Sequence, residues 1–155
     1  MNIQERIEAL ETEFAEKIKA LKAEVQREEE FPQDGDKYWL IEETLGVSRY
    51  AWAGDDFDNK LLSVGNVFRT KQQAEFAIEK LKVEAELRKF SRPFKEDENN
   101  FFIQTNSSHN NIVIDTDEGY QTQGTIYYET RKEALLAIDT VGEDRIKKYI
   151  FGVED

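Results

Sequence analysis

Seven apolar residues mark the first thirty positions: Ile3, Ile7, Leu10, Phe14, Ile18, Leu21 and Val25. Ile3, Phe14 and Val25 are eleven apart, as are Ile7 and Ile18, and Leu10 and Leu21. An eleven-residue repeat gives about 3.67 residues per turn, so one narrow stripe runs along a nearly straight α-helix. No Gly or Pro interrupts the segment, and strong helix formers fill it. The remaining faces are charged, with Glu13 and Lys17 as a favourable i,i+4 pair. A helix over residues 1–30 is predicted. It stops by Phe31-Pro32, because a residue before Pro avoids the α region. Residues 31–36, with Gly35, form a linker.

A helix with one apolar stripe needs a cover. Further copies of the chain, the following domain or a foreign partner are the three choices. The expectation taken here is a homo-oligomer, a dimer in the first instance, with the seven stripe residues at its interface.

From Asp36 the period changes to that of strands. Tyr38–Ile41 and Val47–Trp52 are β-rich, with Leu45-Gly46 as a turn between them. Gly54–Asn59 reads as a loop, and Leu62–Phe68 as a third strand. Thr70 and Gln73 have capping-box spacing and open a helix to about Phe90, with Ala74, Ala77, Ile78, Leu81 and Ala85 on one face.

The order then recurs. Phe101–Gln104, Ile112–Ile114 and Thr125–Tyr128 are strands, with a polar turn around His109 after the first. Thr130 and Glu133 form a second capping box, opening a helix with Ala134, Ala137, Ile138 and Val141 that Gly142 closes. Phe68, Thr70, Ala74, Ala77, Ile78 and Leu81 match Tyr128, Thr130, Ala134, Ala137, Ile138 and Val141 at a constant offset of sixty. An internal repeat sets the fold expectation. It is an α+β protein, with a coiled-coil-like helix followed by two tandem ββ(β)α repeats in antiparallel sheets. The duplicated domain spans 37–155, with repeats at 37–91 and 100–142. The tail, 143–155, starts with a helical turn to Lys148, and Tyr149–Val153 follow as a last strand or extended segment.

Composition narrows the partners. Net charge is −12 and cysteine is absent. The charge disfavours direct binding to nucleic-acid phosphates or an anionic membrane surface, both of which call for Lys and Arg. It favours basic partners, or simply solubility. A disulfide framework and a thiolate metal site are excluded. Neither a signal-peptide core nor a membrane-length apolar run is visible, so a cytoplasmic protein is expected.

Catalytic signals are sparse. His109 is the only histidine and reads as an exposed loop residue. No nucleophile elbow, Walker loop or dinucleotide fingerprint occurs. Asp55, Asp56 and Asp58 form one acidic cluster, and Asp115, Asp117 and Glu118 another. Counted as calcium loops from Asp56 or Asp115, the sixth positions are Leu61 and Tyr120 and the twelfth Val67 and Ile126, where Gly and Glu are required. No metal or cofactor is expected. The acids read as solvated turn carboxylates, or as one rim suited to a basic surface with Trp52 or Phe57 as nearby anchors. Tyr38, Trp39, Tyr50 and Trp52 could stack bases, but their segment is acidic, so packing is the better account.

Four stretches carry a resemblance: Gly35-Asp36-Lys37-Tyr38-Trp39-Leu40-Ile41, Gly65-Asn66-Val67-Phe68-Arg69-Thr70-Lys71-Gln72-Gln73-Ala74-Glu75, Leu87-Arg88-Lys89-Phe90 and Gly142–Phe151. Together they resemble a group of small phage and prophage accessory proteins. The resemblance covers about residues 35–153 and carries no active site. It implies a non-enzymatic protein acting inside a bacterial host cell. One function it implies is inhibition of a defence effector, as an anti-CRISPR or other anti-defence protein whose acids engage a basic nuclease. The alternative is an oligomeric adaptor assembled through the N-terminal helix.

Overall fold

Asn2 starts the first helix. Its side chain accepts from the Glu5 amide at 2.9 Å, and Glu5 accepts from the Asn2 amide at 2.7 Å, a complete capping box. Helix α1 then runs over Ile3–Glu29, and its backbone stops before Pro32 as the sequence predicts. The computed structural model describes residues 2–106, 108 and 111–154. Ser107, His109 and Asn110 of the polar turn, with Met1 and Asp155, lie outside that set, and so does the reading of His109.

The protein is α+β, with five helices and two antiparallel sheets among the described residues. It divides into two compact units, Met1–Ala74 and Glu75–Asp155. In the first, β1 (Lys37–Ile41) pairs with β2 (Val47–Ala51). Alternation along β1 buries Tyr38 and Leu40, which form a small core with Trp52. Phe31, Leu61 and Val67 pack on it, so the expected linker is anchored by its first residue. Asp36 also closes the segment into a turn, accepting from the Gln33 amide at 2.9 Å.

Two expectations for the first repeat are overturned. The segment read as a loop and the start of a third strand is a helix, α2 (Asp56–Ser63), with Asp55 as its N-cap. That helix takes Leu62 and Ser63, the first two residues assigned to the strand. What remains reaches β1 through single residues. Phe68 bridges Trp39 with bonds of 2.8 and 2.9 Å. The Asn66 side chain supplies one further pair, accepting from the Ile41 amide at 2.7 Å and donating to the Ile41 carbonyl at 2.9 Å. An amide side chain thus substitutes for a strand residue.

Helix α3 (Lys71–Arg88) begins as predicted at Thr70, whose hydroxyl accepts from the Gln73 amide at 3.2 Å. Its buried positions are Ala74, Ile78, Val83 and Leu87, whereas Leu81 and Ala85 are exposed. The buried face therefore drifts around the helix and departs from the expected one. In the second unit, β3 (Asn100–Thr105) lies between β4 (Ile112–Asp117) and β5 (Tyr127–Tyr128). Helix α4 (Arg131–Val141) packs against all three strands. Thr130 caps it, accepting from the Glu133 amide at 3.2 Å. Ala134, Ala137 and Val141 join Val83, Leu87, Tyr128 and Ile146 in the core. The expected extended tail is instead one helix, α5 (Glu143–Phe151), amphipathic along its whole length, and Gly152 ends it with a φ of 66°.

The repeat is visible in strand order. In each unit the first strand of a hairpin is central. It pairs on one side with its hairpin partner, and on the other with the residue two before a capping threonine, Phe68 or Tyr128. The units differ in what precedes that residue, a helix in the first and an irregular segment in the second. The compact units also divide at 74/75, so most of α3, which the repeat assigns to the first half, packs in the second.

Candidate functional site

Three features are candidates for contact or chemistry. The first is the α1 stripe. All seven residues are exposed, from 44% at Ile7 to 75% at Ile3. The polar faces are held by local interactions, such as Lys17 to Glu13 at 2.5 Å. The chain folds an uninterrupted apolar seam and leaves it bare. Packing on the rest of the first unit is thereby not the arrangement found.

The second is the N-terminus of α2. Here the predicted acidic cluster separates into different roles. Asp58 is only 3% exposed. It accepts from the Tyr38 hydroxyl at 2.6 Å and from the amides of Ala53 and Gly54 at 2.7 and 3.0 Å. These donors, Tyr38 first, hold its carboxyl below the usual carboxylate range despite burial. Burial first, then the hydrogen bond to Asp58 and the Asp58 charge, push the Tyr38 phenol well above its ordinary value. Asp58 is therefore internal structure, which corrects its placing on an acidic rim. Trp52 is likewise withdrawn, at 8% exposure, and offers no anchor.

Asp55, Asp56 and Phe57 remain at the surface. Asp55 accepts from the Asp58 amide at 2.9 Å, and Asp56 pairs with Lys60 at 2.7 Å. Phe57 is 52% exposed, with its ring 6.0 Å from that of half-exposed Tyr50. Two carboxylates beside an exposed aromatic pair make a small amphipathic patch. The sequence contained the signal, since Asp55-x-x-Asp58 has capping spacing ahead of Leu61 and Leu62.

The second unit's acids, Asp115, Asp117 and Glu118, lie at the end of β4. Asp115 accepts from Gln104 at 2.8 Å. Asp117 turns onto its own backbone, accepting from Gly119 and Tyr120 at 3.0 and 2.9 Å. The two clusters belong to different units, so the single rim expected from sequence is not a property of either. Among the described residues no group of three His, Asp or Glu side chains is placed to hold a metal ion.

Sequence reasoning missed Asn100. It is fully buried, accepts from Arg92 at 2.7 Å and from the Lys95 amide at 2.9 Å, and donates to the carbonyls of Lys95, Glu98 and Asp117. One side chain thereby ties the 92–99 loop to the end of β4. An Asn-Asn pair before two Phe residues carries no pattern that announces this.

The third candidate is a cleft of about 220 Å³ in the second unit, lined chiefly by Leu87, Ile103, Tyr128, Ile146, Ile150 and Phe151. Burial pushes the Tyr128 phenol up to about 12, and its hydroxyl donates to the Leu87 carbonyl at 3.3 Å. The volume falls below the roughly 300 Å³ at which ligand pockets begin. Among the described residues no helix is long and apolar enough to cross a membrane. Comparison with protein-family models, with curated proteins and with solved structures finds no match for the chain.

Proposed function

We propose that the protein is a non-enzymatic, self-associating adaptor that joins copies through α1 and presents their α+β units to a protein partner. The observation that carries this reading is the bare stripe of seven apolar residues on a 27-residue helix. Helices of this kind draw most of their stability from covering such a face, and a contiguous apolar patch on a protein surface marks a contact. Sedimentation equilibrium at micromolar concentration tests it. Wild type is expected to be a dimer, and the double variant Leu10→Lys, Ile18→Lys a monomer with unchanged near-ultraviolet circular dichroism from Trp39 and Trp52. A monomeric wild type overturns the reading.

The patch at Asp55, Asp56, Phe57 and Tyr50 supports a second reading. In it, a phage-type protein inhibits a basic defence effector in the cytoplasm of a bacterial host. Carboxylates steer encounter and an exposed aromatic residue supplies the anchor. Reversing Asp55 or Asp58 would damage the α2 cap and the buried Tyr38 contact, so the informative variant is Asp56→Lys with Phe57→Ala. Expression of wild type is expected to raise phage plating on a defended host, and the variant is expected to lose that protection. Equal protection by both sinks the patch as the contact.

A further inference from the structure

The stripe on α1 is a palindrome. Its intervals read 4, 3, 4, 4, 3, 4, so reflection about Phe14 carries Ile3 onto Val25, Ile7 onto Leu21 and Leu10 onto Ile18. A second copy running in the opposite direction, centred on Phe14, therefore meets an apolar residue at every stripe position. A parallel copy in register does so as well, and charge decides between them.

Around the helix, Arg6 and Lys17 flank the stripe on one side, with Glu13 and Glu24 behind them, and Glu11 and Lys22 flank it on the other. Two antiparallel helices bring like sides together with reversed order. Arg6 then lies within a turn of Glu24 of the second copy and Lys17 within a turn of Glu13, while further out the Lys22–Glu11 attraction offsets an Arg6–Lys17 repulsion. Two parallel helices bring opposite sides together at equal height, where Glu11 against Glu13 and Lys17 against Lys22 cancel Lys22 against Glu24 and Arg6 against Glu11, so no net attraction remains. At coarser scale, a parallel pair also opposes the basic segment Lys17–Lys22 to itself.

The rest of the chain adds a stronger repulsion. Residues 1–30 hold nine carboxylates and five Lys or Arg, a net −4, so residues 31–155 keep −8 of the total −12. Everything after residue 30 is attached at the C-terminal end of α1. Parallel pairing holds two such attachments side by side, whereas antiparallel pairing puts them about 45 Å apart, several Debye lengths. Helix dipoles also oppose when helices run antiparallel.

We infer that α1 assembles as an antiparallel pair with a second copy of this chain, with the two Phe14 rings at the two-fold axis. The inference rests on the self-association proposed above and specifies its geometry. It also makes the assembly a spacer, with one partner-binding body at each end.

The absence of cysteine allows spin labels to be placed singly. Gln4 and Ala15 are eleven apart and share one angular position on the helix, so their lateral offsets are equal. In the antiparallel pair the Gln4→Cys labels are separated along the axis by about 30 Å and the Ala15→Cys labels by about 3 Å. In a parallel pair each label faces its own copy at the same height. Pulsed electron paramagnetic resonance on the full-length protein is expected to give a Gln4 distance longer than the Ala15 distance by roughly 15 Å. Equal distances in a dimer overturn the orientation and leave self-association standing. Absence of any intermolecular distance, with a monomeric mass by sedimentation, overturns both.

Discussion

The Tyr38 hydroxyl and the Asp58 carboxylate meet at 2.6 Å inside the first unit, twenty residues apart in sequence. The contact locks the N-terminus of α2 onto β1, because Asp58 also accepts from the amides of Ala53 and Gly54. Removing the hydroxyl leaves a buried carboxylate with fewer donors. Tyr38→Phe is expected to lower the urea midpoint at neutral pH with an unchanged slope. The lowered pKa of Asp58 contributes stability above the unfolded carboxylate range, and that contribution is lost as pH falls through the folded value. In Tyr38→Phe the acid limb of the stability profile should shift to higher pH. An acid limb identical to that of wild type would show that the phenol does not set the Asp58 titration.

The two capping threonines test the repeat. Each hydroxyl accepts an amide at 3.2 Å, Thr70 from Gln73 and Thr130 from Glu133. Thr70→Ala and Thr130→Ala are each expected to cost about 1 kcal/mol in denaturant unfolding. A cost below experimental error at either site would mean that water replaces the hydroxyl there.

These caps show why part of the fold is legible in the sequence. A cap followed by apolar residues at helical spacing is local, and both threonines announce their helices. The α1 stripe is legible for the same reason. Asp55-x-x-Asp58 is equally local, but its carboxylates look like solvated turn acids. What reverses that reading is Tyr38, which is distant in sequence. The third strand misleads because strand assignment depends on pairing, and only Asn66 and Phe68 reach β1. The α5 error has another origin. Tyr149-Ile150-Phe151 has β-rich composition, yet it completes the apolar face begun by Ile146.

Gly142 joins α4 to α5 with a φ of 95°, and nothing lies within 4 Å of where a Cβ would sit. Only backbone conformation opposes a side chain there. Gly142→Ala is expected to destabilise by about 1 kcal/mol or more. Gly119→Ala, equally uncrowded and without a positive φ, should stay within about 0.5 kcal/mol of wild type. Thermal melts of the two variants side by side check this. Equal melting temperatures would show that the α4–α5 junction relaxes freely.

Arg145 of α5 grips Glu86 of α3 with two bonds of 3.0 and 3.1 Å. The guanidinium holds the Glu86 carboxyl below its ordinary value. About a third of each side chain stays in water, so the pair contributes on the scale of a surface ion pair, at most about 1 kcal/mol. Arg145→Lys keeps the charge and loses the fork. It should be slightly less stable at neutral pH, and the difference should close as acid protonates Glu86. A gap that persists at pH values well below the carboxylate range would assign the effect to packing of the Arg stem instead.

Phe14 is the most informative residue of the exposed stripe. In the antiparallel pair it meets its own copy, so one substitution changes the centre of the interface twice. Deleting a buried Phe costs about 3 kcal/mol or more, which corresponds to at least about 100-fold in the dissociation constant. Phe14→Ala should therefore raise that constant by two orders of magnitude in sedimentation equilibrium. Leu136→Ala, also at an exposed apolar position but on α4, should leave it unchanged. Far-ultraviolet circular dichroism should then show helix content falling on dilution, and falling at higher protein concentration in Phe14→Ala than in wild type, because α1 loses its cover when the copies separate. Helix content that does not change across the dissociation range would mean that α1 is stable alone, through its Asn2 capping box and its Glu13–Lys17 ion pair. Its bare stripe would then be free for a different protein.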